Sequence, residues 1–162
     1  VGQMPSSLLA GLLYMGSGLG LTVVVLSQTN PVSDILSRLS WRQWANLTGA
    51  IIAGGVAAPL FLAYGILFGT ASEVSLLLNF EAVATTLIAW MVFHEHIGRS
   101  VWIGKLLIIG ASIFIVFTGS SDVRWSIPGL SVLIACILWG IDNNLTRELE
   151  SIPASLLACM KG

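Results

Sequence analysis

Residues 6–27, SSLLAGLLYMGSGLGLTVVVLS, run for about six helical turns without a charged side chain. Lipid offers no hydrogen bonds, so a stretch like this can satisfy its backbone there only as a helix. Four more apolar blocks follow, at residues 41–69, 71–93, 101–119 and 126–144. Roughly 20 apolar residues carry a helix across a ~30 Å hydrocarbon layer, so each block has crossing length. With 56% hydrophobic and 9% charged residues, and a mean hydropathy of +0.91, the chain lacks the polar surface to face water all round. The expected fold class is therefore all-α, a polytopic membrane protein with five transmembrane helices. A net charge of −1 offers no basic face for nucleic acid. Cys136 and Cys159 lie in apolar text and are read as small packing residues rather than a disulfide.

Several residues punctuate the blocks. Ser40 and Gln43 form an S-x-x-Q capping box at the start of the second, and Thr70 and Glu73 form the same device, T-x-x-E, at the start of the third. That reading accounts for Glu73 as structure. Between the first two blocks, Val32, Ile35, Leu36 and Leu39 recur at helical spacing, with Asp34 and Arg38 on the other side. A short amphipathic helix at the membrane surface is expected there. Arg38, Arg42, Arg99, Lys105, Arg147 and Lys161 fall on one side of the alternating topology, and Arg124 on the other. Positive charge marks the cytoplasmic side, so loops 28–44 and 94–100 are expected inside the cell and Val1 outside a cell membrane. Trp41, Trp44, Trp90 and Trp102 would mark the inner interface and Trp125 the outer. The sequons at Asn46 and Asn144 then fall inside and are read as accidental.

MPSSLLAG, from Met4, matches IPASLLAC, from Ile152, at Pro, Ser, Leu, Leu and Ala. Five blocks separate the two copies, and an odd number of crossings inverts the second copy in the membrane. That is the arithmetic of an inverted-topology repeat, common in secondary transporters. The domains expected are a first repeat over 1–120 lacking its first helix, and the truncated start of a second over 121–162. The chain is then a fragment of one about twice as long.

The segments LLLNFEAVATTLIAWMVFHEHIGRSVWIGKLLIIGASIFIVF, GGVAAPLFLAYGI and LIACILWGIDNNLTRELE together resemble the EamA family of the drug/metabolite transporter superfamily. The likeness lies in order and spacing: an acid early in one span, a Glu soon after it, then W-x-G opening the next. The resemblance implies ten helices in two inverted halves (5+5), a central substrate cavity, and both ends of the full chain in the cytoplasm. The five blocks would be the family's second to sixth helices. Ala82 stands where the family often has Pro after the acid.

Glu81 lies well inside the third block, where an ionised side chain costs on the order of 3 kcal/mol even on lenient scales. A wet cavity, a basic partner or a proton must offset that. Lys105 is expected near the inner membrane surface, too far away to serve. Thr85 shares the face of Glu81. One reading is contact with substrate or a coupling proton; the other is a protonated Glu hydrogen-bonded to Asn or Ser on a neighbour. In the second block Pro59 removes the hydrogen bond to the Gly55 carbonyl, so a kink is expected. Gly54, Gly55 and Pro59 are candidates for hinge or cavity lining, with plain helix packing the alternative. Gly16 and Gly20 are expected to serve packing.

Trp139 precedes Asp142 and Asn143 by about one turn, so an aromatic and polar groups share one side of the fifth block. Trp139 and Asn143 are candidate solute contacts. For Asp142 a helix end near water, with Arg147 pairing Glu150, is the competing picture. His94-Glu95-His96 lacks a third ligand, so no metal is expected, and Glu95 is expected to pair with Arg99 or Lys105. No cofactor and no catalytic residue are assigned, because Ser17 and the histidines do not pair as nucleophile and base. The function expected is a secondary transporter, an exporter of small metabolites or drugs working by alternating access and coupled to a proton or solute gradient. A non-transporting scaffold is the alternative, and a membrane-embedded enzyme a weaker one. The partners expected are a small-molecule solute, the lipid bilayer and the second half of the same chain, with a homodimer left open.

Overall fold

The computed structural model describes residues 6–27, 32–118 and 126–161. Every regular element among them is helical. The first block is α1, Ser6–Leu26. α2, Val32–Ser37, is the short segment between the first two blocks. Its polar residues Asp34 and Arg38 are exposed, as the pattern requires. Its apolar side, however, meets protein: Val32, Ile35 and Leu39 pack onto a buried cluster of Val25, Leu47, Leu149, Ile152, Leu156 and Leu157. The chain's own core thus takes up the face assigned to the membrane surface.

The second block is one continuous rod, Trp41–Phe68. It comprises α3, Trp41–Ala50, a π-helical segment, Ile51–Ala57, and α4, Ala58–Phe68. The capping box closes as its residues dictate. The Gln43 N–H donates to Ser40 Oγ at 3.3 Å, and the Ser40 N–H donates to Gln43 Oε1 at 2.9 Å. The third block is α5, Ala71–Leu78, and α6, Phe80–Met91, interrupted at Asn79. The Asn79 amide donates to the carbonyls of Ser75 and Leu76 at 3.3 and 3.2 Å, competing with the helix's own donors. α7, Arg99–Thr118, and α8, Ile127–Arg147, fill the last two blocks, and α9, Ala154–Lys161, follows Pro153.

Among the described residues, 41–68, 71–91 and 127–147 are long and apolar enough to cross a membrane, while α1 and α7 are helices of 21 and 20 residues. The outer surface is apolar, with Leu19, Phe68, Leu106 and Leu107 each about two-thirds exposed. Water would not tolerate so much contiguous apolar area; hydrocarbon does. The protein is an all-α polytopic membrane protein. Trp90 and Trp102 meet edge to face at 5.8 Å, setting the end of α6 level with the start of α7. Arg124, Trp125, Val1, Met4 and Pro5 lie outside the described residues, so the far-side markers and the first residues of the repeat do too.

α8 is the centre of the bundle, packed against α3, the π-helical segment, α4, α5 and α6. Val132 and Cys136 on α8 form a buried cluster with Val74 of α5. Only half of the second capping box exists. Thr70 Oγ1 accepts from the Glu73 N–H at 3.2 Å, but the Glu73 carboxylate turns away to α8, where Ser126 Oγ donates to it at 2.6 Å. Ser126 also caps α8 by accepting from the Gly129 N–H at 2.9 Å. The acid therefore sits buried at the start of α8, where the helix dipole favours negative charge. Gly16 and Gly20 of α1 do not mark a contact within the chain: a Cβ on either would meet no atom within 4 Å.

Gly140 marks a close approach of α8 to the backbone of α6. A Cβ there would stand 3.0 Å from the Thr85 backbone nitrogen and 3.1 Å from the Ala84 carbonyl carbon. Gly140→Ala should push α6 from α8 and destabilise the protein by about 1–3 kcal/mol, as overpacking does in other cores. A thermal melt in detergent, compared with Gly98→Ala in open space, measures it.

Candidate functional site

Asn79, at the junction of α5 and α6, borders a cavity of about 490 Å³ between α6, α7 and α8. Its polar wall is Asn79, Glu81, Thr85, Thr86, Lys105 and Asn143; Leu78, Ala82 and Ile108 complete it. Glu81 projects from the first turn of α6 and is half-buried. Asn143 Nδ2 on α8 donates to Glu81 Oε1 at 3.2 Å and reaches Thr85 Oγ1 at 3.4 Å. The Thr85 and Thr86 hydroxyls donate to the carbonyls of Glu81 and Ala82, each at 2.9 Å, which leaves their oxygen lone pairs for the cavity. The wall thus offers two hydroxyls, a carboxylate, two amides and one ammonium.

The structure brings Glu81, Thr85 and Asn143 together, as their positions suggested. It also places Lys105 on the same cavity, against the expectation that its depth would separate it from Glu81. Lys105 lies about one and a half turns into α7, far enough for its flexible stem to turn inward from the interface. Among the described residues no ion pair joins it to Glu81. The neighbouring Asn is the kind of partner expected for a Glu at this depth, and the cavity lies beside it as well.

Trp139, Gly54, Gly55 and Pro59 meet elsewhere, on the opposite flank of α8. The expected proline kink takes the form of the π-helical segment, whose wider turn moves backbone out of the way of the ring. The Ala58 N–H bonds the Ala53 carbonyl, five residues back. In that register the carbonyl left without a partner by Pro59 is that of Gly54, rather than that of Gly55. Trp139 supplies the donor: its indole N–H reaches the Gly54 carbonyl at 3.3 Å. The Trp139 indole is therefore committed to the backbone and does not line the Glu81 cavity.

Asp142 is not near water. It is buried, with Lys161 Nζ 2.5 Å from its Oδ1 and Thr146 Oγ1 donating to the same oxygen at 3.0 Å. Lys161 Nζ also donates to Thr146 at 3.1 Å, so the three groups close a ring. Lys161 is therefore drawn into the bundle by α9 rather than left among the loop charges. Gly54 has no room for a side chain, because a Cβ there would overlap the Asp142 carboxylate. A Cβ on Gly55 would stand 3.0 Å from the Lys161 carbonyl oxygen.

Arg147 pairs with Glu95 rather than with Glu150, and Glu95 pairs with Arg147 rather than with Arg99 or Lys105. The turn carrying Glu95 explains this: His94 adopts φ 53°, and its Nδ1 lies 3.1 Å from the Val92 carbonyl, which folds the segment back toward α8. Among the described residues no three His, Cys, Asp or Glu gather as a metal set. Asn144, read as an accidental sequon, is a buried staple: its amide donates to the Thr85 and Gly140 carbonyls at 2.9 and 2.8 Å. Its signal was the run Asp142-Asn143-Asn144 itself, three polar residues that a helix must aim in three directions.

The chain is thus a helical bundle with an apolar exterior and a polar cavity beside α6, α7 and α8. The EamA-like transporter family matches residues 1–117, and the chain belongs to that family. A relative described as an "Uncharacterized transporter" from Methanothermobacter thermautotrophicus is 25% identical over 130 residues, which is 78% of this chain and 38% of the relative. The match therefore spans well under half of that protein's length. No solved structure matches the chain.

The bond from Trp139 to Gly54 is open to test. Trp139→Phe keeps the ring but leaves a buried carbonyl unpaired, which should cost about 1–3 kcal/mol. Amide hydrogen exchange in residues 51–60 should accelerate, while exchange in α5 stays as it was.

Proposed function

We propose that this chain forms part of a secondary transporter that moves small metabolites or drugs out of the cell by alternating access, with the Glu81 cavity as the solute or coupling site. The observation that carries the reading is a carboxylate held by a neutral amide on a cavity wall, within an apolar bundle of a transporter family. A cavity wall rich in acceptors suits a solute bearing ammonium or hydroxyl donors, or a proton taken up by the Glu81 carboxylate. Glu81 and Asn143 would hold that group and Thr85 would accept from it. Lys105 would balance its charge, and the π-helical segment would flex.

Two arrangements belong to the same proposal. The chain would contribute one five-helix repeat and the start of an inverted second, with loops 28–44 and 94–100 in the cytoplasm. Packing of α1 against α9 supports the inversion. Val25 shares a buried cluster with Ile152 and Leu156, while Gly18, two turns earlier, meets Cys159, an arrangement that fits antiparallel segments. The cavity of the whole transporter would be completed by the second repeat.

The full-length protein in proteoliposomes, screened with metabolite and drug panels with and without a pH gradient, tests this. Flux of at least one solute is expected. Glu81→Gln should lower it about tenfold or more and flatten its pH dependence, the scale of a hydrogen bond to a charged group. Unaltered flux in that variant across pH would remove Glu81 from coupling. Failure of every solute to move would favour a scaffold.

A further inference from the structure

Near the end of α8, three consecutive polar residues serve three neighbours. Asp142 meets the π-helical segment and α9, Asn143 faces the Glu81 cavity, and Asn144 bonds the backbone of α6. Successive side chains on a helix are about 100° apart, so one rotation of α8 shifts all three contacts at once. We propose that Asp142 and Lys161 are positioning residues of the transport cycle, an ion pair that ties the conformation of the π-helical segment to the geometry of the Glu81 cavity. The proposal rests on that cavity being the solute site.

The carboxylate of Asp142 occupies the space a Cβ would take on Gly54, directly against the segment's backbone. α8 cannot turn about its axis without withdrawing it, and the segment cannot advance toward α8 while it is there. Withdrawal also strains the ring with Lys161 and Thr146, which a hydrocarbon surrounding makes costly. On the other side of α8 the same turn would drag Asn143 from Glu81 and Thr85. Trp139, one turn earlier, is bonded to the Gly54 carbonyl and must move with them. Two neighbourhoods on opposite flanks of one helix therefore change together. A buried ion pair contributes little net stability over an apolar pair, but it permits few geometries, which suits a part with two discrete positions.

The test uses the full-length protein with every native cysteine replaced by alanine and Ile108→Cys placed on the cavity wall. Amide exchange in residues 51–60 reads the segment, and the alkylation rate of residue 108 by N-ethylmaleimide reads the cavity; neither needs a known solute. Asp142→Asn and Lys161→Met should each change both readouts by about tenfold or more, the scale of losing one partner of a buried pair, with exchange in α5 unchanged. Lys161→Arg should keep both near the unsubstituted values, and Glu148→Gln, an exposed charge, should alter neither. If Asp142→Asn does not fold, the two Lys161 variants decide. Faster exchange in 51–60 with unaltered alkylation would reduce the pair to a local packing contact and overturn the proposal, as would no change in either. Absence of flux in the unsubstituted protein would instead fail the transport reading, and leaves these readouts intact.

Discussion

In a medium without water, polar groups of neighbouring helices must meet one another, and in this protein α8 supplies side-chain donors to the backbone carbonyls of the helices around it. Ser131 donates to the Phe61 carbonyl of α4 at 2.6 Å, and the Cys136 thiol to Leu77 of α5 at 3.4 Å. Trp139 reaches Gly54 of the π-helical segment, and Asn144 reaches Thr85 of α6. Packing of lipid-soluble helices gains nothing from expelling water, so contacts of this kind, with close approach at small residues, decide which face meets which. The bundle is organised around one helix because that helix carries the donors.

Four acids, Asp142 and Glu73 buried and Glu95 and Glu81 partly so, are accommodated in four different ways. Asp142 takes a lysine, and Glu95 takes an arginine near the helix ends. Glu73 takes a serine hydroxyl and the start of α8, with no cation beside it among the described residues. Glu81 takes a neutral amide and a cavity. In the first three, a carboxylate oxygen is bonded to a fixed cation or hydroxyl of the protein. Only the fourth leaves a carboxylate facing volume that a solute or water can fill, and that difference singles it out better than its depth in the chain does.

The amino-acid sequence carried the architecture because its signals are long: five apolar blocks, a capping box at Ser40 and Gln43, a proline after paired glycines. Glu81, Thr85 and Asn143 drew notice in the sequence because polar side chains inside apolar blocks must be aimed somewhere, and in the fold they line one cavity. What escaped was partner choice. Glu73 looked complete with Thr70 three residues away, yet a nearer hydroxyl lay on α8, distant in sequence. Arg147 had an obvious helical neighbour in Glu150, but the backward fold at His94 delivered Glu95 instead. The depth assigned to Lys105 followed its backbone and ignored the reach of a four-carbon stem. For Glu73 and Arg147 a local pair gives way to one between elements distant in sequence, which no spacing rule encodes.

The two irregular stretches of backbone fall on either flank of α8, and their surroundings differ in a telling way. Non-helical backbone at membrane depth survives only when protein buries it or a cavity wets it. The π-helical segment takes the first course: Trp139 satisfies its orphan carbonyl, and Asp142 and α9 cover its glycines. The break at Asn79 takes the second, lining the cavity where its own amide ties off the preceding turn. A wide turn held by one indole and one ion pair can give up those few bonds and re-form them, whereas a turn already facing a cavity has less to exchange.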